Sequence, residues 1–158
     1  MRIAVIGDIM VDRYVYGSVE RISPEAPVPI NRVDHVTSVL GGAANVAANL
    51  AHMDCNVYLA GLIGDDDNAR LLRSLLNEAG IDGAGIVTRD RHQTTTKMRV
   101  LGSQQQMVRL DFEEVTPVTP VEAAELATWL DGRLQQGLDG IILSDYQKGV
   151  LTEQVAKL

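Results

Sequence analysis

The sequence predicts an α/β fold in which parallel strands alternate with helices, and three observations carry that reading. The apolar runs at 2–6, 57–63 and 140–143 lack the polar alternation of half-exposed strands and read as strands buried on both faces. Capped stretches with apolar residues three and four apart lie between them and read as helices packed on one side. Segments at about 13–40 and 94–113 have β texture and turn residues with no helical period. At 158 residues, with 46% hydrophobic and 22% charged residues, the chain can bury one core but not two ordinary domains.

The first run, 2–6, is ended by Gly7 and Asp8 and is expected to be the central strand. Asp12 and Arg13 follow just beyond its carboxyl end, where open parallel sheets place their ligands. Asp12 is therefore a candidate acceptor for ligand hydroxyls, or else a turn carboxylate or a partner for Arg13. From Tyr14 to Leu40, Tyr14, Tyr16, Val28, Ile30, Val33, Val36 and Val39 are spread among Gly17, Pro24, Pro27 and Pro29. Such a segment reads as strand and loop, either a small sheet over the site or a surface hairpin.

Gly41 and Gly42 then run directly into a helix expected over 42–53. Paired glycines permit positive φ and let a ligand approach the main chain, while the first-turn amides present the positive end of the helix dipole. Ala43, Ala44, Ala47, Ala48 and Ala51 let this helix lie close to a sheet. Asn45, in its first turn, can both donate to and accept from a ligand hydroxyl. The same residues also suit an ordinary glycine turn before a packing helix.

The strand at 57–63 leads through Gly64, Asp65 and Asp66 into a helix with Ala69, Leu72, Leu75, Leu76 and Ala79 on one face and Gly80 as its stop. A hairpin is expected next, with strands at 94–101 and 107–113 and its turn over 102–105. Alternation places Lys97, Arg99 and Arg109 on one face, a local positive patch suited to a phosphate because Arg offers a two-pronged fork. Asp111 and Glu113 are the carboxylates that would neutralise it on a merely solvated face. Thr119, Pro120 and Glu122 form a capping box opening a helix with Ala123, Leu126, Ala127, Leu130 and Leu134 on its packed face and Trp129 at its margin. The strand at 140–143 delivers Asp145 and Lys148 to the crevice, where Lys148 suits a phosphate and Asp145 a metal-bound water, unless both serve a local turn. Thr152 caps a further helix over 153–158, and the strand–helix rhythm stops in mid-unit.

The net charge of −7 and pI near 4.8 argue against a nucleic-acid surface or an anionic membrane, which need clustered cations. The sole cysteine, Cys55, excludes an internal disulfide and fits a reducing compartment. No segment approaches the roughly 20 apolar residues of a membrane helix, and the cytoplasm is the expected location. A dinucleotide site is disfavoured because no G-x-G-x-x-G follows the first strand.

The string from Gly41 to Ala47, with Gly64 at the expected distance and Asp12 after the first strand, resembles the ribokinase/PfkB carbohydrate kinases. Within that family, residues 7–14, 21–29, 96–101, 109–113 and 144–149 are similar to one branch, the heptose 7-phosphate kinase domain of ADP-heptose synthesis, often fused to an adenylyltransferase. The resemblance covers essentially the whole chain. It implies a ribokinase-like, doubly wound, mostly parallel sheet flanked by helices with a small β lid. It also implies ATP- and Mg2+-dependent phosphorylation of the anomeric hydroxyl of a heptose 7-phosphate, a precursor of the lipopolysaccharide core. Asp12, Arg13, Gly41, Gly42 and Asn45 would then hold the sugar and Lys97, Arg99 and Arg109 its phosphate.

Two departures from the family pattern follow. Asp54 stands where the signature has Gly or Ser, and a preserved turn is expected because Asp tolerates left-handed backbone. The family's catalytic base, an Asp in a glycine-rich segment at a helix N-terminus, and the ATP pocket beside it belong to the second half of the domain. Residues 61–65 are not that segment, since they fall in the early strand–helix unit with the wrong spacing. Residues 1–158 are thus expected to be the N-terminal part of one kinase domain, with the C-terminal half absent, no catalytic residue, no direct metal ligand and no turnover alone. The other readings are a kinase of a different sugar or nucleoside, and a non-catalytic module pairing with a second copy through the lid or with another chain through an open sheet edge.

Overall fold

The computed structural model describes residues 1–103 and 105–158. Strands β1 (Arg2–Gly7), β4 (Asn56–Ile63), β5 (Asp82–Thr88) and β8 (Gly140–Ser144) form one parallel sheet in the order β5-β4-β1-β8. The first apolar run is central, as expected, with β4 on one side and β8 on the other. Helices α1 (Ala43–His52) and α2 (Asp67–Glu78) cover one face, where Ile3, Val5, Val57, Leu59 and Leu72 are buried. Helix α3 (Pro120–Gln136) covers the other, against Ala4, Ile6, Ala60 and Leu62. Two apolar layers explain why β1 and β4 read as continuous hydrophobic runs. The expectation that 140–143 is buried on both faces is corrected, because Ile141 and Leu143 lie on the α3 side of β8 beyond the reach of that helix and are 43% and 47% exposed.

The second sheet joins β2 (Ile9–Ile22), β3 (Pro29–Gly42), β6 (Thr96–Gly102) and β7 (Gln105–Phe112) in the order β3-β2-β6-β7. Strands β2 and β3 pair antiparallel, as do β6 and β7, whereas β2 and β6 run parallel. Both segments with β texture thus build one lid sheet, and the reading of 14–40 as an isolated surface hairpin is corrected. The turn expected over 102–105 includes residue 104, which lies outside the described residues.

Local signals account for the helix boundaries. Gly42 caps α1 at φ 55°, Asp66 caps α2 by accepting from the Ala69 amide at 2.8 Å, and the Thr119–Glu122 capping box opens α3. Asp54 holds the left-handed turn after α1 at φ 58°.

Four expectations are corrected. Strand β5 was not foreseen, because Gly83 and Gly85 interrupt a run with only Ile86 and Val87 as strong strand formers. Gly85 is required by packing: a Cβ there would lie 2.5 Å from Cε2 of Trp129, whose indole lies against the sheet. Asp12 and Arg13 sit inside the long strand β2, not in a turn, since only Asp8 separates β1 from β2. Leu134 is exposed in the last turn of α3. Beyond Thr152 there is a single 3-10 turn, Val155–Lys157, in keeping with the nucleation cost that makes a six-residue helix marginal.

Candidate functional site

The lid sheet meets the body where β1 passes through Asp8 into β2 and β3 passes through Gly42 into α1. At this junction the Ala43 amide donates to the Asp8 carbonyl at 2.9 Å, and a Cβ on Gly42 would collide with that same carbonyl oxygen. Gly41 serves a different need. Asp12 pairs across the ladder with Val39, so Gly41, two residues on, shares its face. A Cβ on Gly41 would fall 2.6 Å from the Asp12 carboxylate, and the glycine makes room for it.

The register of β2, β6 and β7 then gathers charge around Asp12. Lys97 lies opposite both Asp12 and Asp111, and Arg99 lies opposite both Tyr14 and Arg109. The expected patch of Lys97, Arg99 and Arg109 therefore forms on the Asp12 face. Each of its cations has a carboxylate partner. Arg99 donates to Asp12 at 2.5 Å while its guanidinium lies over the Tyr14 ring, 5.3 Å from the centroid. Arg109 holds Asp111 with two bonds of 2.8 and 3.0 Å. Lys97 lies 3.1 Å from Asp111 and 3.5 Å from Glu113, and Lys148 reaches Glu113 at 2.8 Å.

The electrostatics follow from this pairing. The Asp12 carboxylate holds the Arg99 guanidinium above its ordinary range, against the opposing pull of burial. Burial pushes Asp111 up, but hydrogen bonds from Arg109 and Lys97 outweigh it and hold the carboxyl below its usual value. Glu113 is held low chiefly by its hydrogen bond from Lys148. Four cations and three carboxylates thus share one surface, with one positive charge in excess. A ligand carrying both hydroxyls and a dianionic group can take over both kinds of partner: the anion engages the cations and frees Asp12 to accept from hydroxyls.

The remaining candidates are placed differently. Arg13 alternates to the opposite face of β2, against Ser38 and Met98, so it joins neither Asp12 nor Arg99. Its Nε is buried without a partner among the described residues. Asn45 is exposed in the first turn of α1 and lines a shallow groove with Val39, Leu40 and Asn49. Asp145 is exposed and accepts from the Gln147 amide at 2.7 Å, the local turn role. Among the described residues, no three His, Cys, Asp or Glu side chains gather as a metal seat.

Sequence reasoning overlooked Asp8 as a site residue. Its carboxylate is buried at 1% exposure and takes the amides of Tyr146, Lys148 and Val150. The available signal was an acid set flush against a fully apolar strand, where burial demands partners.

Residues 1–158 match the pfkB family carbohydrate kinase description. The chain is 46% identical over 157 residues to the bifunctional protein HldE of Granulibacter bethesdensis, covering 99% of this chain and 32% of that protein. It is 44% identical over 150 residues to a D-beta-D-heptose 7-phosphate kinase of Bordetella bronchiseptica, covering 95% of this chain and 47% of that one. It thus spans from about a third to just under half of these relatives. Its fold is similar to a putative phosphofructokinase from Staphylococcus aureus, with a TM-score of 0.73 at 15% identity over 99% of this chain and 49% of that one. No helix among the described residues is long and apolar enough to cross a membrane. The glycine corner, the lid and the whole-length match agree, and the chain belongs to the pfkB family of carbohydrate kinases.

Proposed function

We propose that this chain is the sugar-binding part of an ATP-dependent kinase that phosphorylates the anomeric hydroxyl of D-glycero-D-manno-heptose 7-phosphate, in the cytoplasm, on the route to ADP-heptose. The observation that carries this reading is the cluster of Lys97, Arg99 and Arg109 on the Asp12 face of the lid. An unphosphorylated sugar has no use for three cations. The heptose 7-phosphate kinase named among the relatives supports the same acceptor.

Asp12 accepts from the sugar hydroxyls in the space that Gly41 leaves, with Gly42 and Asn45 at the adjoining helix start, while the lid cations and Lys148 receive the 7-phosphate. ATP and its magnesium supply the phosphoryl group from outside the residues described. The bifunctional relatives make a fused adenylyltransferase a natural companion. The lid's opposite face leaves Val36, Val108, Leu110 and Phe112 exposed, and a second copy of the chain is the partner proposed to cover it.

The function is tested by replacing the corresponding segment of the Bordetella bronchiseptica kinase with residues 1–158 and measuring ADP release. Release that requires heptose 7-phosphate and disappears with Asp12→Ala is expected of the chimera, and none of the 158-residue chain alone. A folded chimera that prefers an unphosphorylated sugar, or that is indifferent to Arg99→Glu, would restore the reading as a kinase of another sugar or nucleoside.

A further inference from the structure

The loop after β8 is tied down by one buried acid. Asp8 Oδ2 accepts from the Tyr146 amide at 2.7 Å and the Lys148 amide at 3.0 Å, and Oδ1 accepts from the Val150 amide at 3.1 Å. The Asp8 main chain adds to this, donating to Ser144 at 3.1 Å and accepting from Ala43, so a single residue joins the β8 loop to the start of α1. The loop needs such a clamp. Gln147 is held at φ 59°, which a non-glycine residue keeps only where the surroundings over-determine it, while Gly149 takes φ 103° freely as a glycine. Between these two positions stands Lys148, whose ammonium reaches Glu113 in the segment that leaves β7. Lys97 of the lid approaches the same carboxylate.

We propose that Asp8 is a positioning residue: by gathering alternate amides of the β8 loop on its carboxylate, it fixes where Lys148 stands and joins the body to the charged face of the lid. The inference rests on the sugar-phosphate reading only for its consequence, which is that Lys148 takes part in anion binding. The positioning itself is a property of the free chain.

The first test needs no ligand. Through-hydrogen-bond NMR couplings from the Asp8 carboxylate carbon to the amides of Tyr146, Lys148 and Val150 are expected in the wild type, and their absence would overturn the proposal without any variant. The Glu113 carboxyl, which faces Lys97 and Lys148 with Asp111 two residues away, is then titrated in wild type, Lys148→Ala and Asp8→Asn. Its pKa rises in Lys148→Ala and is expected to rise toward the same value in Asp8→Asn, which preserves volume but turns an amide NH2 toward a loop N–H. An unmoved Glu113 in folded Asp8→Asn contradicts the proposal.

The second test is calorimetric titration with heptose 7-phosphate. Lys148→Ala and Asp8→Asn are each expected to weaken binding about tenfold, the loss of one charge-assisted contact, and the double variant is expected to be no weaker than Lys148→Ala. Additive losses would mean that Asp8 acts otherwise than through Lys148, overturning the proposal. A wild type that binds no sugar phosphate while Glu113 still follows Asp8 would sustain the positioning role and remove the sugar-site reading.

Discussion

A two-pronged ion pair in the body and a single-bonded one in the lid play different parts. In the body, Arg89 grips Glu122 through bonds of 2.7 and 2.6 Å and also donates to the carbonyls of Thr116 and Pro117, so that it ties the segment before α3 to the end of β5. Glu122 is committed a second time, to the Thr119 cap. In the lid, Arg99 and Asp12 also make a close pair, but they stand on an open face beside three other cations and two other carboxylates. The body pair cannot be exchanged without unravelling a helix start, whereas the lid pair is proposed to open to a ligand whose anion takes Arg99 and whose hydroxyls take Asp12. The contrast extends to the apolar residues, which are layered on both faces of β1 and β4 in the body, though not over Ile141 and Leu143 at the β8 edge, and are left partly bare on the outer lid face. Apolar burial is thus concentrated in the body sheet, and the proposed binding chemistry in the other.

The contrast can be broken most forcefully with apolar truncations. Leu72, fully buried between α2 and the sheet, is expected to cost about 2–5 kcal/mol as Leu72→Ala. Leu110→Ala on the outer lid face is expected to stay within about 0.5 kcal/mol in the monomer and to cost more as rising protein concentration lets the proposed second copy cover that face. Chemical denaturation at several protein concentrations decides the matter. A large, concentration-dependent loss for Leu110→Ala would show a second copy covering the lid.

Next in size is Glu122→Gln, expected to cost about 3 kcal/mol because it leaves the Arg89 charge half-buried and unpaired. Its pH dependence sharpens the comparison. The hydrogen bond from Arg89 lowers the Glu122 carboxyl from 4.5 to about 2. A depressed acid contributes stability that is present above the unfolded pKa and lost as pH falls through the folded one. The wild type should therefore lose this contribution between about pH 4.5 and about pH 2, and Glu122→Gln should not show that portion of the acid sensitivity.

A smaller effect on stability than that of Glu122→Gln is expected of Gly41→Ala. The added methyl displaces the Asp12 carboxylate, so sugar-phosphate affinity falls about tenfold while a loss near 1 kcal/mol moves the melting temperature by about 2–4 °C. Unchanged affinity would place the sugar away from Asp12.

Much of this was legible in the sequence where a single local cause decides the outcome. Gly41 and Gly42 before an alanine helix, the Asp66 cap and the Thr119–Glu122 box each report backbone chemistry within a few residues, and each stands where it was expected. The alternation in 96–101 and 107–112 likewise sorted Lys97, Arg99 and Arg109 onto one face. What resisted reading depends on distant contacts. Strand β5 pairs with the distant β4, and its Gly85 is set by Trp129, some forty residues later, which lies where a Cβ would stand. The partner of Asp12 is Arg99 and not the adjacent Arg13, because β2 pairs in parallel with β6, a choice no local pattern records. Asp8 looked like the end of a strand until the β8 loop was seen folded around it.

The central claim, that the lid pair yields to a phosphorylated sugar, is tested most directly by calorimetric titration of the chain with heptose 7-phosphate and with the same heptose lacking its phosphate. Binding of the phosphorylated sugar at least tenfold tighter than the other, with that preference lost in Arg99→Glu, is the predicted result. Equal affinities for the two sugars, or a preference untouched by Arg99→Glu, would contradict it.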